Sequence, residues 1–387
     1  MRDIAEMTPD YPSFDGRFRP GRGSTMRVNA YAVPAPSEHL VPVHIERRPV
    51  GPGDILIEID YVGICRTDIH SARSEGGPRI YPLVLGHEVV GRVVEVGGDV
   101  TRFRCGDRVG VGPIVDSCGH CSSCLTGEEQ YCLNQATWAY GSVDRNGAVT
   151  QGGYSTHTVI SEDFVVAIPD QIPGANAAPL LCSGISSFAP LRRQAIGPGM
   201  KVAVVGIGGL GHLAVKFAHA MGAEVVAISS TPDKQDSVLG MGAGHFYPFE
   251  EHLLTGELAR SFDVVVLAMS SATLLDPFIA MLRQDGTLLD VGMPGSVVAN
   301  TEDMRSLRRH LTGSLLGGLQ EVRDMFEFAA AHRVWADVEV IDIGRVNEAY
   351  DRVVRSDVRY CAVIDVRTLR ATALEPPAPR LAAAPTL

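Results

Sequence analysis

The chain has 387 residues, 45% of them hydrophobic and 20% charged, enough for a soluble globular protein with two cores. A net charge of −11 with no block of like charges argues against nucleic acid or an anionic membrane as the main partner, leaving small molecules or further copies of the chain. No apolar run reaches the roughly 20 residues of a membrane span, and residues 1–25 lack the apolar core of a secretion signal, so the expected location is the cytoplasm.

Residues 1–25 are rich in Arg, Pro, Gly and Asp, show neither period 2 nor period 3.6, and read as an extension before a fold that starts at Met26-Arg27-Val28. From there to residue 178, glycines separate short strands. Ile55, Ile57 and Ile59 alternate with Leu56, Glu58 and Asp60, and residues 89–96 form another strand that ends at Gly97-Gly98. A mostly β domain is expected. Inside it, Cys118-x2-Cys121-x2-Cys124-x7-Cys132 puts four thiolates in one short loop, the donor set of a closed tetrahedral zinc site. An iron–sulfur cluster uses the same four thiolates, and disulfides are the remaining alternative. His120 falls between these cysteines and reads as a solvated loop histidine. Three more zinc-type donors stand apart: Cys65, His87 (followed by Glu88) and Cys182. A closed four-thiolate site holds structure, whereas three protein ligands with a free position do chemistry, so the cysteine map alone points to an enzyme with two different metal sites. Eight cysteines, four of them tightly spaced, suit metal ligation in a reducing compartment better than a disulfide framework. Cys105 and Cys361, each alone in its segment, are expected to be buried small hydrophobes.

From about residue 199 the pattern changes. Residues 201–205, 224–228, 262–267 and 286–291 are near-continuous apolar runs separated by helical stretches, as in a parallel sheet buried on both faces. The first run leads into Gly206-Ile207-Gly208-Gly209-Leu210-Gly211, after which Leu210, Leu213, Ala214, Phe217, Ala218 and Met221 recur as one helical face. Strand, glycine turn and helix in that order make a dinucleotide site, with the pyrophosphate at the positive end of the helix. The second run ends in Ser229-Ser230-Thr231-Pro232-Asp233-Lys234, where no carboxylate stands at the strand tip. The hydroxyl side chains leave room for a 2′-phosphate and Lys234 can supply charge, so NADP is favoured; Asp233 keeps NAD open. Residues 319–334 look helical, and residues 338–343 and 360–365 return to short strands that rejoin the first domain. The expected organisation is an extension at 1–25, a β domain at 26–178, a dinucleotide-binding domain at 179–318, a return at 319–370 and an Ala- and Pro-rich tail at 371–387.

Gly86-His87-Glu88, the cysteine loop, Ala136-Thr137-Trp138, Gly152-Gly153-Tyr154, Pro190-Leu191-Arg192-Arg193, the Gly206 turn and Ser356-Asp357-Val358-Arg359-Tyr360 carry a resemblance over about residues 26–369. The chain resembles the zinc-dependent alcohol dehydrogenases of the medium-chain dehydrogenase/reductase superfamily, most closely the cinnamyl-alcohol-dehydrogenase-like aldehyde reductases. The resemblance implies an α/β fold in which a GroES-like β-barrel catalytic domain is interrupted by a Rossmann doubly wound parallel-sheet domain, with the active site between them. It implies two Zn2+ per chain, NADP(H), reversible hydride transfer between NADPH and an aliphatic or aromatic aldehyde, and a homodimer. Cys65, His87 and Cys182 are then the ligands of the catalytic zinc, which acts as a Lewis acid. Glu88 is either an alternate ligand or a carboxylate that orients the site. Thr67 and His70 match a hydroxyl-to-histidine proton relay, and Asp68 a partner that orients a ligand. Arg66 replaces the usual His and either meets the pyrophosphate or is solvated. Ser186 replaces the usual Thr and keeps a hydroxyl near the nicotinamide, whereas Ala268-Met269 replaces a common Asp-Thr pair. Trp138, Leu315 and Leu316 match pocket positions, with ordinary core packing as the alternative. A non-catalytic, zinc-stabilised NADPH-binding protein would be expected to lack one catalytic ligand, and all three ligands are present.

Overall fold

The computed structural model describes residues 24–75, 77, 79–269, 274–292 and 296–370. Apart from residues 24 and 25, the expected extension and tail lie outside the described residues.

Six parallel strands form one sheet, in the order His245–Pro248, Glu224–Ser229, Lys201–Val205, Phe262–Leu267, Leu282–Asp290 and His310–Gly313. The apolar runs are continuous because both faces are covered. Val202, Val204, Val225, Ala227, Val264 and Val266 face one core with Phe217, while Ala203, Val205, Val226, Ile228, Val265 and Leu267 face the other with Leu254 and Phe278. Strand order reverses between Lys201–Val205 and Phe262–Leu267, and the carboxyl ends of strands at such a switch point open a crevice for a ligand.

The helix Gly209–Ala220 buries Leu213, Ala214, Phe217 and Ala218, the face that periodicity indicates. It also buries His212 on another side, where the ring stacks on Tyr360 with centroids 5.0 Å apart. Lys216 pairs with Asp337 at 2.8 Å. The returning chain therefore covers a flank of this helix that its apolar periodicity leaves unassigned.

The second large sheet is built around Asp54–Ile64, antiparallel to Val89–Val96 and to His157–Ser161. The far end of Asp54–Ile64 pairs with Cys361–Asp365, which in turn lies parallel to Val338–Asp342, so the last strands return to the sheet formed by the N-terminal part of the chain. The helix Leu319–His332 packs on the helix Ser183–Arg193 and on the strand Val166–Ala167, within a core that runs from one sheet system to the other. Cys361 is buried as expected, but Cys105 is exposed. It sits in the turn that feeds Arg108–Val111, where Gly106 takes a φ of +95° and no second layer covers the side chain. No helix among the described residues is long and apolar enough to cross a membrane.

Candidate active site

Cys118, Cys121, Cys124 and Cys132 converge in a half-exposed lobe. Their sulfurs stand 3.5 Å (Cys121 to Cys124), 3.8 Å (Cys118 to Cys124) and 4.0 Å (Cys121 to Cys132) apart. Four sulfurs at the zinc–thiolate distance of about 2.3 Å define a tetrahedron with edges of about 3.8 Å, so the cage has the size that zinc requires. The backbone N–H groups of Cys118, Cys121 and Leu133 donate to Cys132, Cys118 and Cys121 sulfurs at 3.3–3.4 Å, which stabilises thiolate charge.

The other donors come from three places in the chain. Cys65 caps the helix Arg66–Ala72, His87 and Glu88 precede the strand Val89–Val96, and Cys182 caps the helix Ser183–Arg193. One donor atom from each of Cys65, His87, Glu88 and Cys182 falls within 4.8 Å of all the others. Glu88 is thus a full member of the cluster in this geometry. It fits because Gly63 lacks a side chain: a Cβ there would lie 1.8 Å from Glu88 Oε2. The hydrogen bond between the two thiols holds Cys65 well below the usual thiol range and Cys182 well above it. Burial, followed by the charge on Cys65, pushes the Glu88 carboxyl well up. Anionic donors crowded together and buried conflict with one another, and a divalent cation removes that conflict by deprotonating and binding them.

Asp68 organises this site from beneath. It is fully buried, and its carboxylate accepts from Cys65 N at 2.9 Å, Gly86 N at 3.1 Å and Tyr154 Oη at 3.2 Å, with Tyr350 behind Tyr154. Its Oδ1 lies 3.0 Å from His87 Nδ1. A carboxylate only accepts, so Nδ1 carries the proton and the Nε2 lone pair is left for a metal. Gly86 makes the close approach possible, because at φ +95° a Cβ would lie 2.6 Å from the Tyr154 ring.

The donor cluster opens into a cleft of about 610 Å³ at the switch point of the parallel sheet. All the expected cofactor-side residues line it: Arg66, Ser186, Gly206, Gly208, Gly209, Leu210, Ser229, Ser230, Thr231 and Lys234, with the exception of Gly211, which is buried behind the turn. Three glycines of the turn have three different causes. Gly206 adopts φ +90°, Gly208 has open space where a Cβ would stand, and at Gly211 a Cβ would lie 1.9 Å from Gly206 O. The middle position is the one a pyrophosphate can approach. Lys234 is buried rather than extended: Nζ donates to Ile207 O at 2.7 Å and stands 5.5 Å from the Tyr360 ring centroid. Burial, with Arg359 nearby, lowers its pKa. Asp233 is exposed outside the cleft, while Ser229 and Thr231 lie on its wall.

Thr67 Oγ1 stands 3.5 Å from Cys65 Sγ, and His70 lies one turn further along the same helix, half-exposed and paired with Glu75. Arg66 also lines the cleft, with Nη2 donating to Val353 O at 3.4 Å. Trp138, Leu315 and Leu316 also line the cleft; Leu316 is buried and Leu315 exposed. Sequence reasoning missed Gly63, Tyr350 and the buried pair His212–Tyr360. Their roles leave no local signal, even for Tyr360 at the end of the Ser356–Tyr360 motif, because each acts through a contact with a distant segment.

A buried donor set for a catalytic metal, a separate four-thiolate cage and a dinucleotide crevice at one switch point define a two-domain, zinc-binding dehydrogenase. Comparison with known proteins agrees: residues 51–170 match the alcohol dehydrogenase GroES-like domain and residues 209–331 the zinc-binding dehydrogenase family. A probable formaldehyde dehydrogenase of Bacillus subtilis is 48% identical over 84% of this chain and 93% of its own length. An NADP-dependent alcohol dehydrogenase C of Mycolicibacterium smegmatis is 44% identical over 89% of this chain and 99% of its own. Among solved structures, a cinnamyl alcohol dehydrogenase of Sorghum bicolor superposes with a TM-score of 0.85 at 40% identity, over 88% of this chain and 98% of that one. A Helicobacter pylori relative crystallised with NADP(H) gives 0.84 at 34%, over 89% and 99%. The chain belongs to the zinc-dependent alcohol dehydrogenases of the medium-chain dehydrogenase/reductase superfamily, in the cinnamyl-alcohol-dehydrogenase-like aldehyde reductase group.

Proposed function

We propose that the protein reduces aldehydes to alcohols reversibly with NADPH, at the site where Cys65, His87, Glu88 and Cys182 meet the floor of the cleft. The observation that carries this reading is the convergence of those four donors within 4.8 Å, in the same cleft that the glycine turn lines. Cys65, His87 and Cys182 would hold a zinc ion that supplies Lewis-acid chemistry at the substrate oxygen, and the glycine turn would hold the NADPH that supplies a hydride. Asp68 keeps His87 in the metal-binding tautomer. Glu88 is poised as an exchangeable fourth donor. Thr67 Oγ1 gives a proton to the product oxygen, and His70, half-exposed, replaces it by a relay that passes through the cofactor ribose. Ser229, Ser230 and Thr231 accommodate the 2′-phosphate, and Lys234 contributes charge from behind the turn. Trp138, Leu315 and Leu316 shape an apolar arm for an aliphatic or aromatic substrate. The names of the relatives support NADP and this substrate class.

A cytoplasmic homodimer is part of the same reading. The outer edge of His310–Gly313 is unpaired among the described residues and is the surface a second copy would meet. Initial rates with NADPH and NADH across a panel of aldehydes test the assignment. NADPH-dependent turnover of apolar aldehydes is expected; a preference for NADH, or no turnover with two zinc ions bound, overturns it.

A further inference from the structure

The four-cysteine lobe touches the wall of the substrate arm. Between its third and fourth cysteines runs the 3-10 turn Glu129–Tyr131. From that turn, Glu129 Oε2 accepts the backbone N–H of Leu319 at 3.0 Å, and Tyr131 Oη accepts that of Leu315 at 3.3 Å. The two bonds bracket Leu316, a buried cleft residue held at φ +55°, a left-handed conformation that leucine rarely adopts. Two neighbours press the same segment into place. A Cβ on Gly318 would lie 1.6 Å from Gly127 O of the lobe, and one on Gly317 would lie 2.8 Å from Ile185. Arg193, at the far end of the helix that Cys182 caps, completes the clamp. It reaches Glu321 at 2.6 Å, Glu128 at 4.0 Å and Ser314 Oγ at 3.4 Å.

We propose that the thiolate lobe is a positioning device for the substrate arm: through Glu129 and Tyr131 it holds Leu316 in its left-handed conformation and so sets the shape of the slot. The inference rests on the reading of the cleft as an aldehyde site. The physical reason is local. A closed metal cage fixes the short turn between Cys124 and Cys132, and the turn's two acceptors then fix the backbone N–H groups of Leu315 and of Leu319, the first residue of the next helix, on either side of Leu316. Residues 314–318 fall between the strand His310–Gly313 and the helix Leu319–His332, so no ladder holds them.

The test uses the full-length zinc-loaded enzyme and the variants Glu129→Ala, Tyr131→Phe and Glu129→Gln. Hydrogen exchange of the peptide spanning 314–319 is expected to speed up about tenfold in the first two, the loss of roughly one hydrogen bond. KM for a bulky aromatic aldehyde is expected to rise by a similar factor, while KM for acetaldehyde, KM for NADPH and the content of two zinc ions stay as in the parent. Glu129→Gln keeps an acceptor oxygen and is expected to restore the parent's values. Unchanged exchange in both variants overturns the proposal, as does an equal rise in KM for all substrates and NADPH, or a Glu129→Gln enzyme as impaired as Glu129→Ala. A parent enzyme that reduced no aldehyde would overturn the functional reading instead, and the exchange measurement would still judge the clamp.

Discussion

The two cysteine sites are built on opposite plans. The lobe takes all four donors from fifteen consecutive residues, stands half in solvent and is steadied by its own backbone N–H groups. The other site gathers donors from three separate stretches of chain, is largely buried and depends on Asp68, two tyrosines and Gly63 to bring them together. A local cage can form wherever its loop forms. A dispersed one exists only when the antiparallel sheet and the helix after Cys182 are packed together, so its geometry reports tertiary structure, and it opens into the cleft.

Substituting one ligand at each site separates these roles most sharply. Cys65→Ser is expected to lower kcat about a thousandfold or more, with one zinc lost per chain by metal analysis and the unfolding midpoint nearly unchanged. Retained turnover would remove Cys65 from the ligand set. Asp68→Asn keeps the side-chain size but weakens the acceptor for His87. A loss of about 10- to 100-fold in activity or zinc affinity is expected at the buried site, with none at the lobe; equal zinc loss from both would contradict the assignment. Lys234→Ala probes the cofactor end. KM for NADPH should rise about tenfold more than KM for NADH, and equal effects would place 2′-phosphate recognition elsewhere. Cys121→Ser reverses the pattern of the first variant. Thermal unfolding should come on the order of 5 °C earlier, with the lobe zinc lost and the buried zinc kept. A midpoint that did not move would deny the lobe a structural role.

Much of this could be read before the fold was seen, for identifiable reasons. The four-thiolate spacing is self-sufficient, since its ligands are neighbours along the chain. The glycine turn was readable because a strand, three glycines and a helical face each leave a local signature. The valines of residues 201–205 and 262–267 announced a sheet covered on both sides, and their split into two cores bears that out. The mode of action of Lys234 was not readable. Sequence placed it beside Ser229 and Thr231, but only the structure shows its amine turned inward to Ile207 O. The exposure of Cys105 is illegible for a similar reason: a cysteine in a turn has no periodicity to show whether it is covered.

By itself the sequence determined the two sheet systems, the dinucleotide turn and the cage, because each depends on spacing within a few residues or on side-chain chemistry alone; the grouping of the scattered donors rested on the motifs shared with the family. The tertiary structure decided that Glu88 joins Cys65, His87 and Cys182, that Asp68 meets the histidine, and that Glu129 and Tyr131 of the lobe reach Leu319 and Leu315 beside the cleft. Those outcomes depend on absent side chains at Gly63, Gly86 and Gly318, where segments far apart in the chain come closer than any Cβ permits.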